Sequence, residues 1–304
     1  MIVVENLTKI YGKQRAVDNI NFVAESGKIT GFLGPNGAGK STTMKIATGY
    51  LKATSGTVQV AGFDIATHTK EAQRALGYLP EHNPLYLDMY VREYLGFMGK
   101  IYKVARLENR IKEVIEMCGL EREAHKKVGM LSKGYRQRVG LAQALIHNPS
   151  VMILDEPTTG LDPNQIIEIR NLIKQIAQEK TILLSTHIMQ EVQAICDKVV
   201  IIHLGKIVAD APVGEITKLA QTERVLKVEF AEKIDENIIA KNFEKILQIQ
   251  HIAGNLWEIR TPADIDLRAD LFQLAKMQNW TILEIKQEEK NIENVFRELT
   301  RTAI

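Results

Sequence analysis

The sequence predicts an α/β fold with an open sheet whose strand ends carry the chemistry, followed by a smaller α+β unit. Three observations predict it. A glycine-rich turn sits between an apolar run and a helix start in KITGFLGPNGAGKST. Two further apolar runs, Val151 to Leu154 and Ile182 to Leu184, end in polar residues. The tail scans as strand and helix in the order βαββαβ. Open α/β sheets bind their ligands at the carboxyl ends of such strands.

The 304 residues, 45% hydrophobic and 25% charged, suffice for one large core and a second, smaller one. A net charge of +2 is spread over 39 basic and 37 acidic side chains without long basic runs, so no nucleic-acid partner is expected. Cys118 and Cys196 lie far apart in helix-like patterns, which indicates neither a zinc site nor a disulfide framework. A reducing cytoplasm is the expected setting. The start, MIVVENLTKIYGK, lacks the features of a secretory signal. No apolar run approaches the roughly 18 to 20 residues that cross a bilayer, so any membrane role is expected to come through another polypeptide.

In the glycine-rich turn, Gly34, Gly39, Lys40 and Ser41 match G-x-x-x-x-G-K-[ST]. Over Gly34, Pro35, Asn36, Gly37, Ala38 and Gly39 the backbone N–H groups are expected to curl round phosphate oxygens, with the helix that begins near Lys40 adding its positive end. Lys40 then reaches the β- and γ-phosphates of a nucleotide, and Ser41, followed by Thr42, ligates magnesium. The apolar run at Val151 ends in Asp155-Glu156-Pro157. A pair of solvated acids is the bland alternative, but beside a phosphate loop Asp155 is expected to hold the magnesium shell and Glu156 to polarise a water for attack. The third run ends in Ser185-Thr186-His187. A lone histidine is more often a packing residue, yet at this strand end its imidazole is placed to meet a γ-phosphate oxygen.

The stretch Leu131-Ser132-Lys133-Gly134-Tyr135 opens an apolar pattern at helical spacing. With the phosphate loop before it and the Asp-Glu strand after it, this order resembles the ATP-binding cassette (ABC) ATPases, whose signature motif usually reads Leu-Ser-Gly-Gly-Gln. The resemblance spans about residues 1 to 215. It implies ATP and Mg2+ as ligands, Tyr11 as the aromatic that stacks on adenine, Leu161-Asp162 as the D-loop and His187 as the switch histidine. Ser132 stands where an N-cap would, and Gly134 permits close approach at a helix start that favours an anion. The family uses that start for the nucleotide bound to the opposite subunit. The resemblance therefore implies a head-to-tail homodimer with ATP sandwiched between subunits.

Two departures from the family pattern stand out. Lys133 and Tyr135 replace a glycine and the glutamine of the signature, and Glu81 in LGYLPEHNPLY takes the Q-loop position usually held by glutamine. A carboxylate there approaches magnesium or its waters but adds negative charge and loses an amide donor. These departures resemble ATP-binding subunits of export systems, including multidrug, lipid and gliding-motility groups. Such subunits imply separate multi-span membrane permease partners and a cytoplasmic place on the inner face of the cell membrane. The rival is a soluble ABC-type ATPase of translation or DNA repair. A single cassette, no long coiled-coil insertion and near-neutral charge disfavour it.

A largely helical insert is expected at about residues 84–147, with Tyr90, Tyr94 and Phe97 at i, i+4 and i+7 on one face. Such a stripe is usually core. The family supplies the alternative of a groove for a coupling helix of the membrane subunit, with Tyr86 as the more exposed candidate contact. A boundary near residue 220 separates the cassette, residues 1–219, from a C-terminal unit, residues 220–304. That unit reads as strands Val225–Phe230, Ile246–Ile252, Leu256–Arg260 and Thr281–Ile285, with helices Asp235–Phe243 and Leu267–Met277. This is the order of a ferredoxin-like sandwich, followed by a last helix at Ile292–Leu299. The resemblance gives the extension a dimerising or regulatory role.

Overall fold

An antiparallel sheet opens the chain. β1 (Ile2–Tyr11) and β2 (Gln14–Ala24) pair antiparallel. After β3 (Ile29–Leu33) and helix α1 (Lys40–Ala47), the strands β4 (Ser55–Val60) and β5 (Phe63–Asp64) join that pair in a sheet of order β2-β1-β4-β5. The computed structural model describes residues 1–220, 223–243 and 245–289.

A second sheet carries the chemistry. Helix α2 (Thr69–Arg74) leads to β6 (Leu76–Leu79), and three helices follow: α3 (Val91–Ile101), α4 (Leu107–Met117) and α5 (Lys133–Leu145). Then come β7 (Val151–Asp155), α6 (Pro163–Ala177), β8 (Thr181–Thr186), α7 (Met189–Ile195), β9 (Lys198–His203) and β10 (Lys206–Pro212). The order is β10-β9-β3-β8-β7-β6, with β3, β6, β7, β8 and β9 parallel. Every residue of β3, β7 and β8 is buried, as parallel strands covered on both faces require. Alternate residues serve two cores: Val151, Ile153 and Leu183 pack with the β1 side, and Met152, Leu154, Ile182 and Leu184 with the helices. β10 closes the edge antiparallel to β9 through Leu204-Gly205, both at positive φ as a tight hairpin demands.

The helices follow from their caps and stripes. Ser132 caps α5 by accepting from Tyr135 N at 3.4 Å. Asp162 caps α6 by accepting from Gln165 N at 2.9 Å, with Pro163 at the first helical position. Ile169, Leu172, Ile173 and Ile176 of α6 are buried at i, i+3, i+4 and i+7. The expected aromatic stripe splits on α3. Tyr94 is core and donates its hydroxyl to Gln143 Oε1 at 2.5 Å, whereas Tyr90 and Phe97 are 48% and 40% exposed. Tyr90 is the N-cap rather than a helical residue, so it leaves the face that its spacing assigned.

Two units divide the chain, and the second begins at Gly214, inside α8 (Val213–Ala220), rather than at 220. In this unit β11 (Glu223–Phe230), α9 (Glu236–Asn242), β12 (Gln248–Ala253), β13 (Leu256–Pro262), α10 (Arg268–Met277) and β14 (Ile282–Glu289) follow in turn. The sheet order is β12-β13-β11-β14, antiparallel throughout. Leu226, Val228, Phe230, Ile259, Leu271 and Leu274 form its core. β14 runs past the expected Ile285 because its polar end still pairs with β11, Glu289 opposite Arg224. The helix expected at Ile292–Leu299 lies outside the described residues.

Candidate active site

The turn between β3 and α1 is shaped by close backbone approach. A Cβ on Gly34 would stand 2.4 Å from Ile202 O, and Gly39, at φ +114, would place one 2.5 Å from Ala16 O. Only glycine fits either position. The turn forms one wall of a cleft of about 490 Å³ lined by Asn36, Gly37, Gly39, Lys40, Ser41 and Thr42. Tyr11, Glu81, Glu156 and His187 line it as well. Gly34 and Ala38 are buried, and Pro35 is half-buried. Tyr11 is 47% exposed, with Lys9 Nζ 5.2 Å from its ring centroid.

Lys40 is 6% exposed. Its Nζ donates to Gly34 O at 2.7 Å and Pro35 O at 3.3 Å, and stands 3.7 Å from Glu156 Oε1. Burial lowers its pKa, against the opposing pull of Glu156 and Asp155. The ammonium is thus held among carbonyl and carboxylate oxygens, a setting that phosphate oxygens reproduce.

Glu156 is 7% exposed and has φ +50, a backbone conformation that costs a non-glycine residue about 1–3 kcal/mol and persists where its surroundings over-determine it. Its N–H donates to Ser185 O at 3.1 Å and to Ser185 Oγ at 3.2 Å. His187 Nδ1 lies 3.0 and 2.9 Å from the two carboxylate oxygens. A carboxylate only accepts, so Nδ1 carries the proton. Thr159 Oγ1 donates to Glu156 Oε2 at 3.3 Å. Asp155 does not line the cleft: it is 3% exposed, and its Oδ1 accepts from Ser185 Oγ.

Ser132, Gly134 and Asp162 do not line this cleft either. Gly134 and Asp162 border a second cleft of about 260 Å³, between the start of α5 and α6, with Tyr135, Arg138, Gln165 and Glu168. The close approach at Gly134 is to Gln165, whose Cδ a Cβ would meet at 2.6 Å. Asp162, expected at a nucleotide, spends one carboxylate oxygen on the α6 cap, because Pro163 and the exposed N–H groups of that helix start lie directly after it. Arg138 pairs with Glu168 and places its guanidinium carbon 5.8 Å from the Tyr135 ring centroid.

The motifs left out Gln14, Ala16 and Thr159, which line the first cleft from the β2 start and the turn after Glu156. Only the fold of β2 over the phosphate loop brings the first two there. They also left out Asn83, whose amide packs where Gly140 of α5 has no side chain. The small residue at 140 was the available signal.

Residues 17–159 match the family model described as ABC transporter. Residues 127–192 also match one described as AAA domain, putative AbiEii toxin, Type IV TA system. Over 302 residues the chain is 36% identical to the bacitracin transport ATP-binding protein BcrA of Bacillus licheniformis, covering 97% of this chain and 95% of that one. The chain belongs to the ABC transporter ATP-binding subunits. Another ABC relative, the linearmycin resistance ATP-binding protein LnrL of Bacillus subtilis, is 30% identical over 99% of this chain and 98% of its own. A solved ATP-binding subunit of an ABC transporter superposes with a TM-score of 0.66 at 31% identity, over 72% of this chain and 92% of that one. The dimeric post-hydrolysis state of an ABC cassette bound to ADP and Pi gives 0.64 at 26% identity, over 70% and 99%. As an ABC ATPase, the protein hydrolyses ATP to ADP and phosphate.

Proposed function

We propose that this ABC ATPase powers an export-type transporter as a head-to-tail homodimer, docked on separate multi-span membrane subunits at the inner face of the cell membrane. The observation that carries the reading is the separation of two half-sites on one chain. Lys40, Glu156 and His187 line one cleft, while the capped start of α5 opens elsewhere. A second copy turned head to tail brings the Ser132-Gly134 helix start against the γ-phosphate held by the first. Dimeric cassettes among the similar solved structures support this arrangement. No helix of the described residues is long and apolar enough to cross a membrane.

Within each site, the loop amides from Asn36 to Lys40 hold the phosphates and Lys40 exchanges its carbonyl partners for phosphate oxygens. Glu156, released from Lys40, takes the proton of the attacking water. His187 holds Glu156 through Nδ1–H and lies beside the γ-phosphate, which Nε2 engages only as a second donor, with both ring nitrogens protonated. Tyr11 stacks on adenine. The donor set also suits Mg2+. Among the described residues no cluster of three or more His, Cys, Asp and Glu is built to cage a metal, and Mg2+ is usually held by one or two carboxylates together with phosphates and waters. Ser41 and Glu81, which line the cleft, would hold it, Asp155 behind them would act through its remaining oxygen or a water, and the ion would neutralise charge on the phosphates.

Glu81→Gln is expected to leave ATP binding intact, because it keeps an oxygen and removes one charge from a cleft that already holds Glu156. The magnesium requirement of hydrolysis should shift. A titration showing the same requirement as wild type would place Glu81 beyond the metal's reach.

Truncation after about residue 220 is expected to leave a folded cassette that binds ATP, since all the nucleotide residues lie in the unit that ends at Val213. Thermal melting and nucleotide titration check this. An insoluble or non-binding product would show that the two units need one another.

Tyr86, 56% exposed, packs edge-on against Tyr94 and Phe97 with centroids 5.9 and 5.7 Å away. This exposed aromatic edge is the proposed contact for the membrane subunit. The relatives named for bacitracin transport and linearmycin resistance favour a multidrug-type cargo over gliding motility. The test uses membrane vesicles with and without a candidate multi-span subunit. Docking predicts that the protein sediments with the first kind alone and that its ATPase rate changes there. Equal sedimentation and equal rates in both would overturn the transporter reading.

A further inference from the structure

Glu191 belongs to none of the motifs above. It lies in the first turn of α7 and is 1% exposed. Burial raises its carboxyl pKa; the Thr186 hydrogen bond and Arg170 pull the other way, and Glu156 adds to the rise. A carboxylate this deep needs donors, and it has two from separate parts of the chain. Thr158 Oγ1 donates to Oε1, and Thr186 Oγ1 donates to Oε2 at 2.5 Å. Both threonines are buried, at 4% and 0% exposure.

A structural anchor for α7 would be served by any two donors. These two are distinguished by their neighbours. Thr158 is two residues beyond Glu156, in the turn that follows its left-handed backbone. Thr186 directly precedes His187. Its hydroxyl proton is committed to Glu191, so its oxygen accepts from Ile188 N at 3.1 Å, and that bond brackets His187. One carboxylate thereby ties the segment after Glu156 to the segment around His187, whose side chains meet at 2.9 Å.

We propose that Glu191 is a positioning residue for ATP hydrolysis, holding the segments that carry Glu156 and His187 in mutual register through Thr158 and Thr186. The proposal rests on the roles given above to Glu156 and His187. It does not require Glu191 to touch nucleotide.

Steady-state hydrolysis by the full-length protein tests it. Glu191→Ala removes both acceptors and should lower kcat about 10- to 100-fold, the scale of a small misplacement of catalytic groups. The KM for ATP and equilibrium ATP binding should stay within about twofold, since no phosphate-loop residue is changed and the bond from Gly34 N to Thr186 O at 3.3 Å is made by backbone alone. Glu191→Gln, whose amide nitrogen cannot accept a hydroxyl proton, should recover part of the loss. In a His187→Ala background the further loss from Glu191→Ala should fall below about threefold, because the pair it aligns is already broken. Independent, multiplicative losses, or a fall in ATP binding that matches the fall in kcat, would overturn the proposal. Thr158→Val and Thr186→Val, each removing one donor, repeat the test if Glu191→Ala does not fold; normal kcat in both would overturn it. Normal turnover of Glu156→Gln and His187→Ala would instead sink the reading beneath the proposal, and the proposal with it. Normal turnover of the Glu191 variants, with those two impaired, would sink the proposal alone.

Discussion

Glu156→Gln is expected to bind ATP normally and to turn it over about 10²- to 10⁴-fold more slowly, the range for loss of a positioned general base. The amide keeps the size of the carboxylate, so the left-handed turn held by Ser185 and the contact with Thr159 should persist. Its oxygen still accepts from His187 Nδ1. What is lost is the second acceptor and the negative charge 3.7 Å from Lys40. The phosphates then have one fewer competitor for Lys40, and ATP should hold the dimer closed. Single-turnover hydrolysis, with sizing in ATP and magnesium, checks both halves. A near-normal rate would remove Glu156 from the role of base.

The second large effect is recovery of activity by mixing two inactive proteins. Lys40→Ala removes a charged phosphate contact worth roughly 1.5–3 kcal/mol. Ser132→Arg deletes the α5 cap, worth about 0.5–2 kcal/mol, and fills the helix entrance. Each homodimer carries its lesion at both sites and should be nearly inactive. In a head-to-tail mixed dimer both lesions fall on one site, and the other joins an intact Lys40 to an intact Ser132. Hydrolysis should partly return. Because coupling between the sites could mask that recovery, ATP-dependent closure is also measured by crosslinking in verified mixed dimers. Neither hydrolysis nor closure beyond that of the parent proteins would mean that each chain builds its site alone.

The phosphate loop, the Asp-Glu strand end and the histidine strand end were legible because each is a local pattern. A buried parallel strand needs an unbroken apolar run, a phosphate turn needs glycines where backbone approaches backbone, and a helix start needs a cap. Those demands act over fewer than about ten residues, so the α/β class, the nucleotide chemistry and the cap of α5 could be read from residue order alone. The same locality explains the misreadings. Tyr90, Tyr94 and Phe97 share a spacing, but only Tyr94 is buried, its hydroxyl on Gln143, which lies 49 residues away. The end of β14 looks too polar for a strand, yet β11 supplies the ladder that extends it.

What the sequence by itself determined is which side chains the candidate site brings together: Lys40, Glu156 and His187 at strand or helix ends beside a glycine turn. Only the tertiary structure decided their mutual arrangement. It placed Lys40 against Glu156 and Glu156 against His187, sent Asp155 to Ser185 and Asp162 to the α6 cap, and tied Thr158 and Thr186 to Glu191. These contacts join residues from different elements and depend on strand order and on burial. Once a carboxylate is removed from water, it takes whichever donors the packed strands bring within reach.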